Sequence, residues 1–269
     1  MRIPFRKMHG LGNDFVILDG RVDELPAITQ AAAAALADRH TGIGCDQLIV
    51  LEPSDTADFR MRIFNADGGE VEACGNAARA VARYSLDPVR VETGGGIIAL
   101  EPFEGGARVS MGVPRFALSD IPMEEVRDAK GLQDRWPGLP VPEMVNVGNP
   151  HAVFFVDDLS SLPLAELGPR IETDPLFPQR VNVNFARVEG PDCIELIVWE
   201  RGAGFTRACG TGACATAVAG IRRGLVRSPV TVSLPGGSLE IEWHGEGPVF
   251  MSGPAVESFR GSFAWDDFA

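Results

Sequence analysis

Lysine is almost missing from this chain of 269 residues: only Lys7 and Lys130 occur. Neither stands in a motif that would make it a Schiff-base residue, so pyridoxal-phosphate chemistry is discounted. No Gly-x-x-x-x-Gly-Lys is present, which argues against a phosphate loop. There is no Cys-x-x-Cys, and Cys209 and Cys214 have no matching histidine pair, so no metal site is expected. No apolar stretch approaches about 18 residues, and the opening Met-Arg-Ile-Pro-Phe-Arg-Lys lacks the apolar run of a signal peptide. Basic residues are outnumbered, with 24 Lys and Arg against 37 Asp and Glu and a net charge of −13. Nucleic acid and anionic membranes are therefore not expected partners. The five cysteines are an odd number without the spacing of a secreted disulfide scaffold. Together these absences lead to the expectation of a reducing, cytoplasmic setting with free thiols.

What the chain does have is a stretch from Trp199 to Gly220 in which a strand-like run ends in Glu200-Arg201, a Gly-rich turn follows, and Cys209 stands directly before Gly210-Thr211-Gly212 and an Ala-rich helix. A helix N-terminus leaves its first N–H groups unpaired, attracts anions and lowers a thiol pKa. The same arrangement occurs at Ala73-Cys74-Gly75-Asn76, 135 positions earlier. Pro88–Gly96 echoes Pro229–Gly237 at an offset of 141, and Val109–Pro114 echoes Val249–Pro254 at 140. Ordered matches at nearly constant offset indicate two copies of one unit. Each copy presents one cysteine at a helix N-terminus, and the two ends are expected to face each other across a cleft.

Between these landmarks the chain alternates short strands with few helices. A helix is expected from Pro26 to about His40, around the run Ala31–Ala35, and a short one around Leu159–Leu167. The two cysteine helices, about 75–86 and 210–223, show no polar face until their ends, which predicts burial inside each domain. Cys45, Cys193 and Cys214 are read as core. Residues 115–139 carry acidic residues and prolines without periodicity and are the candidate linker. The fold expected is α/β (α+β), with two pseudo-symmetric domains, each a mostly antiparallel sheet or barrel wrapped around a central helix. They are placed at 1–116 and 117–255, and the final strand, 256–269, is a candidate to return to the first.

A thiol at a helix end is compatible with several chemistries, including a nucleophile paired with His151, a redox switch, or merely a small buried residue. A pair of them, one per repeat, narrows the choice. Two sulfurs each about 3–3.5 Å from one carbon would let a thiolate take a proton from one face while the other thiol delivers one to the opposite face. The same helix-end N–H groups would hold a carboxylate as charge develops. The substrate class this favours is a small amino acid.

The ordered set His9-Gly10-Leu11-Gly12-Asn13-Asp14-Phe15, Phe64-Asn65-Ala66-Asp67-Gly68, Ala73-Cys74-Gly75-Asn76, Gly148-Asn149-Pro150-His151, Glu200-Arg201-Gly202-Ala203-Gly204 and Ala208-Cys209-Gly210-Thr211-Gly212-Ala213-Cys214 resembles the diaminopimelate epimerase family. The resemblance implies a cofactor-independent isomerase that interconverts LL- and meso-diaminopimelate for lysine and peptidoglycan precursor synthesis, and a homodimer. It implies that Cys74 and Cys209 are the catalytic thiols and that Gly75, Asn76, Gly210 and Thr211 hold the reacting carboxylate. Asn13, Gln47, Asn65, Asn149, Asn182, Glu200 and Arg201 match substrate-binding positions, and His151 a site-supporting one. Phe205 departs from the family, where Glu is frequent, and Cys45 from a frequent Phe. The alternative is a proline or hydroxyproline racemase-epimerase, which would use the same paired cysteines on a substrate with no second charged end.

Overall fold

A helix rich in small residues is one a sheet can surround closely, and both halves of the chain use one that way, the first burying Arg79 along with its alanines. A computed structural model of the chain describes residues 1–22, 24–72, 74–124, 132 and 135–268. It divides into two units, Met1–Ser110 with Ser252–Ala269, and Met111–Met251. The limits expected at 116 and 255 lie a few residues beyond these divisions.

In the first unit the strands are β1 (Arg2–Gly10), β2 (Asn13–Asp19), β3 (Gln47–Glu52), β4 (Phe59–Asn65), β5 (Glu70–Val71), β6 (Val89–Thr93), β7 (Gly96–Phe103) and β8 (Gly106–Ser110). Two helices accompany them, α1 (Gln30–Ala37) and α2 (Gly75–Ser85). The sheet runs β1-β2-β3-β4-β6-β7-β8, antiparallel except for the parallel pairs β2–β3 and β4–β6. It encloses α2, which packs against β1, β2, β7 and β8 and buries every residue from Gly75 to Ala82. The opposite face carries α1. Val16, Leu18, Leu48 and Val50 alternate outward to meet Ala32, Ala33, Leu36 and Ala37. That helix is shorter than its sequence suggests. The Thr29 hydroxyl accepts from the Ala32 N–H at 3.1 Å and sets the start at Gln30, and the N–H groups of Ile43 and Gly44 turn back onto Leu36 O.

The second unit repeats this plan. Its strands are β9 (Glu143–Asn146), β10 (Pro150–Phe155), β11 (Asn182–Gly190), β12 (Cys193–Glu200), β13 (Gly204–Phe205), β14 (Val230–Leu234) and β15 (Gly237–Glu242), and its helices α3 (Leu164–Glu172) and α4 (Gly210–Arg222). The order is β9-β10-β11-β12-β14-β15, and the parallel pairs β10–β11 and β12–β14 correspond to those of the first unit. The enclosed helix is α4, in contact with β9, β10, β11, β12, β14 and β15. The outer helix is α3. Its Leu167 and Ile171 join Ala152, Phe154, Val183 and Phe185 in one core. It lies later than the expected 159–167, because Leu159 and Leu162 pack on that core from a turn before it.

Two expectations need correction. Residues 115–139 are not a linker where they are described: Ile121, Trp136 and Leu139 belong to the same buried core, and Arg115 bridges to Asn146. Residues 125–131, 133 and 134 lie outside the described residues. Cys193 is only partly buried, whereas Cys45 and Cys214 are core. The chain then returns to the first unit, where β16 (Phe250–Pro254) pairs with β8 and β17 (Val256–Ala264) lies antiparallel along β1.

Enclosure of the two helices has a direct test. Ala80→Leu in α2 or Ala215→Leu in α4 adds a bulky side chain where none fits and is expected to destabilise the protein by about 1–3 kcal/mol. Urea unfolding would read this as a lower midpoint; an unchanged midpoint would mean that the helix is not closely surrounded.

Candidate active site

In the first unit Cys74 is the N-cap of α2, with extended backbone at φ −148° and ψ 113°, so that Gly75 and Asn76 open the helix. The Asn76 amide donates to Asn13 Oδ1 at 3.1 Å, and Asn13 donates to Asp46 Oδ2 at 2.9 Å. Asp46 in turn accepts from Arg39 at 2.6 Å. Parallel β2 and β3 start side by side here and antiparallel β4 ends here, which also brings Gln47 opposite Asn65, with Gln47 Nε2 donating to Asn65 Oδ1 at 3.0 Å. Gln47 Oε1 is buried with no protein partner. One end of the sheet thus gathers Asn13, Gln47, Asn65 and Asn76.

Charge stands behind these amides. Lys7, which the sequence leaves without a persuasive setting, is buried and pairs with Asp14 at 2.6 Å, and Arg39 pairs with the same carboxylate at 2.6 Å. Burial would raise the Asp14 carboxyl, but hydrogen bonds from Arg39 and Lys7 outweigh it and hold it well below the ordinary range.

In the second unit Cys209 is the N-cap of α4, at φ −115° and ψ 109°, and its sulfur accepts from the Gly212 N–H at 3.3 Å and lies 3.5 Å from Thr211 Oγ1. A Cβ at residue 212 would sit 3.0 Å from Val198 and 3.3 Å from that sulfur, so the glycine leaves room for the thiol. Glu200 ends β12 beside it and accepts a hydrogen bond from the Thr206 hydroxyl. The sequence alone points to a lowered thiol pKa at such a helix end; for Cys209 the structure gives the opposite. Complete burial, then the neighbouring Glu200 charge, push the thiol well above its ordinary value and outweigh the hydrogen bonds from Thr211 and Gly212. Burial also raises the Glu200 carboxyl. Cys209 is therefore a thiol at neutral pH.

Asn182 donates to Pro150 O and accepts the Arg201 N–H, both at 2.9 Å, and so braces the turn after β12. The Arg201 guanidinium is exposed and donates to Gln179 O. Glu172, which the sequence does not single out, accepts from Trp199 Nε1 at 2.6 Å and from the Gly202 N–H at 2.8 Å, fixing the same turn. Phe205 stacks edge-on against Trp199 with centroids 5.0 Å apart, and so serves the turn through packing. His151 is fully buried, Nδ1 3.0 Å from Asn184 Oδ1 and Nε2 2.9 Å from Asn149 Oδ1. Burial pushes the ring down to about 4, aided by the charge of Arg201 against the opposing Asn184 hydrogen bond. Asn184 and Thr216 carry no motif that marks them as site residues. The 135-residue offset is the available signal, since it aligns them with the apolar Ile49 and Val81.

Replacing Glu200 by Gln removes the negative neighbour and is expected to lower the Cys209 pKa. The alkylation–pH profile of Cys209 should move to lower pH, and the labelling rate at pH 7.5 should rise about tenfold for every pH unit that the profile moves. Mass-spectrometric quantitation of Cys209 labelling would check this; an unchanged profile would remove Glu200 as the cause.

Comparison with known proteins bears on the fold and the family. The family model described as diaminopimelate epimerase matches residues 5–117 and 143–257, one segment in each half. A diaminopimelate epimerase of Erythrobacter litoralis is 62% identical over 269 residues, covering 100% of both chains. That of Sphingopyxis alaskensis is 57% identical, covering 98% of each. Among solved structures, a hydroxyproline epimerase from Agrobacterium vitis aligns with a TM-score of 0.70 at 15% identity, over 100% of this chain and 92% of that one. A PhzF-family phenazine biosynthesis protein of Bacillus anthracis aligns at 0.69 and 16% identity, over 98% and 99%. These structural likenesses bear on the fold alone, while identity over the full length bears on the family. The chain belongs to the diaminopimelate epimerase family.

Proposed function

We propose that this protein interconverts LL- and meso-diaminopimelate without a cofactor, as a step in lysine and peptidoglycan precursor synthesis. The observation that carries the reading is the pair of cysteines, each the N-cap of a sheet-enclosed helix at equivalent positions of the two units. One thiolate removes the α-proton and the other thiol donates a proton to the opposite face, so the carbon inverts with no net change in protons. Cys209, held as a thiol beside Glu200, is the proton donor of the resting state. The N–H groups of Gly75, Asn76, Gly210 and Thr211 receive the reacting carboxylate, whose charge grows as the proton leaves. Asn13, Gln47, Asn65, Asn149, Asn182, Glu200 and Arg201 supply the donors and acceptors for the second amino acid centre. The full-length relatives at 47–62% identity named diaminopimelate epimerase support this substrate over proline.

Proton NMR of the reduced protein with LL-diaminopimelate in deuterated water is expected to show loss of the α-proton signal and appearance of the meso isomer. Exchange of free proline or hydroxyproline instead would reassign the substrate. Cys74→Ala and Cys209→Ala are each expected to lower epimerisation by about 10²–10⁴-fold; near-full activity in either would sink the two-base assignment.

The remaining features of the proposal are a cytoplasmic location and a homodimer. Among the described residues no helix is long and apolar enough to cross a membrane. Sedimentation velocity is expected to give twice the 28.8 kDa chain mass; a single species at the chain mass would exclude the dimer.

A further inference from the structure

The two units are built alike, and their differences mark what the fold itself does not need. Residues 47 and 182, 65 and 200, and 74 and 209 are all 135 positions apart. The strand registers agree with that offset: Phe15 faces Gln47 and Ile17 faces Ile49 in the first unit, and His151 faces Asn182 and Val153 faces Asn184 in the second. On the enclosed helices, Val81 and Thr216 lie at the same distance past their cysteine caps. Phe15, Ile49 and Val81 of the first unit thus correspond to His151, Asn184 and Thr216 of the second. All six are fully buried. One unit closes this layer with three apolar side chains. The other places three polar ones there, although burying polar groups costs stability unless every hydrogen bond is made.

The hydrogen bonds give the polar trio a direction. Asn184 Nδ2 lies 2.9 Å from Gly212 O and 2.9 Å from Thr216 Oγ1. Gly212 O is a carbonyl and only accepts, so the amide branch facing it is the NH2 and the branch facing His151 is the oxygen. His151 Nδ1, 3.0 Å from that oxygen, must therefore carry a hydrogen. A second hydrogen on Nε2 would place a cation in a fully buried position near Arg201, so Nε2 carries a lone pair. The structure places Asn149 Oδ1 2.9 Å from Nε2; a lone pair on Nε2 calls for a donor there, and a half-turn of the amide, which leaves its atoms nearly in place, turns the NH2 to the ring. Its carbonyl oxygen is left as the acceptor on the other branch.

We propose that Asn184 is a positioning residue: anchored to the first turns of α4 at Gly212 and Thr216, it fixes His151 in the Nδ1–H tautomer and thereby makes Asn149 present its side-chain oxygen, an acceptor for an ammonium or other N–H group of the ligand. The relay ties the acceptor to the helix that Cys209 caps. Its catalytic consequence rests on the epimerase reading; the tautomer and the amide orientation do not.

The first test is nitrogen NMR of the wild-type protein at pH 7 with ¹⁵N-histidine, the His151 signals being assigned by loss in His151→Phe. The expected pattern is a protonated Nδ1, an unprotonated Nε2, and a coupling across the hydrogen bond from Asn149 Nδ2 to Nε2. An Nε2–H ring or an imidazolium would overturn the proposal, whether or not the protein epimerises anything. In Asn184→Ala the Nδ1–H form is expected to lose its dominance, with kcat for α-proton exchange lowered about tenfold to a hundredfold. Retention of both the tautomer and kcat would overturn it as well. The triple variant His151→Phe, Asn184→Ile, Thr216→Val rebuilds the apolar layer of the first unit. It is expected to fold with a urea midpoint no lower than wild type while losing kcat by at least the same factor; wild-type kcat in that variant would show that the polar trio has no role in the reaction.

Discussion

A helix whose sides are all covered by its own sheet has only its ends left to meet anything else. In both units that constraint sets the chemistry. Small residues along α2 and α4 let the strands close around them, so the groups available to a ligand are the first-turn N–H groups and the residue that caps them. Placing a cysteine at the cap sets a sulfur beside those N–H groups, and glycine at 75, 210 and 212 keeps side chains out of the way. Strand alternation then supplies the surroundings. On β11, Val183 and Phe185 turn to the α3 core, while Asn182 and Asn184 turn to the side of α4.

Much of this is legible in the sequence because it depends on local pattern. The Cys-Gly pairs before Ala-rich runs identify the caps, the absence of a polar face identifies the enclosed helices, and the offset identifies the duplication. Features set by side-chain partners are not legible. A buried asparagine on a strand reads the same as an exposed one, so Asn184 passes for surface. Lys7 and Glu172 look like solvated charges until Asp14 and the Trp199 indole are found beside them. The thiol pKa escapes the sequence for the same reason. The helix end is visible there, but the degree of burial and the approach of Glu200 are tertiary, and at Cys209 they dominate.

The duplicated frame also shows where the units diverge. At the position equivalent to Glu200 the first unit has Asn65, a neutral amide bonded to Gln47. The carboxylate that adds to burial in raising the Cys209 thiol therefore has no counterpart at that register position of the first unit. In the first unit the Lys7–Asp14–Arg39–Asp46 cluster stands behind Asn13, which accepts from the Asn76 amide at the helix end. Two caps with similarly extended backbone thus differ in the residue at that register position.

That asymmetry is what a two-base inversion demands. If both thiols were ionised, nothing would be poised to donate a proton; if both were protonated, nothing would remove one. A faithful duplication would tend to give both sulfurs the same proton affinity. Asn65 against Glu200 is one departure from that symmetry, and a charge in a buried setting, as Glu200 is beside Cys209, acts on a neighbouring thiol far more strongly than it would in water. The polar trio around His151 is a second departure of the same kind, confined to the unit that carries Cys209. The fold supplies two equivalent helix ends, and a few buried substitutions in one copy give them different neighbours.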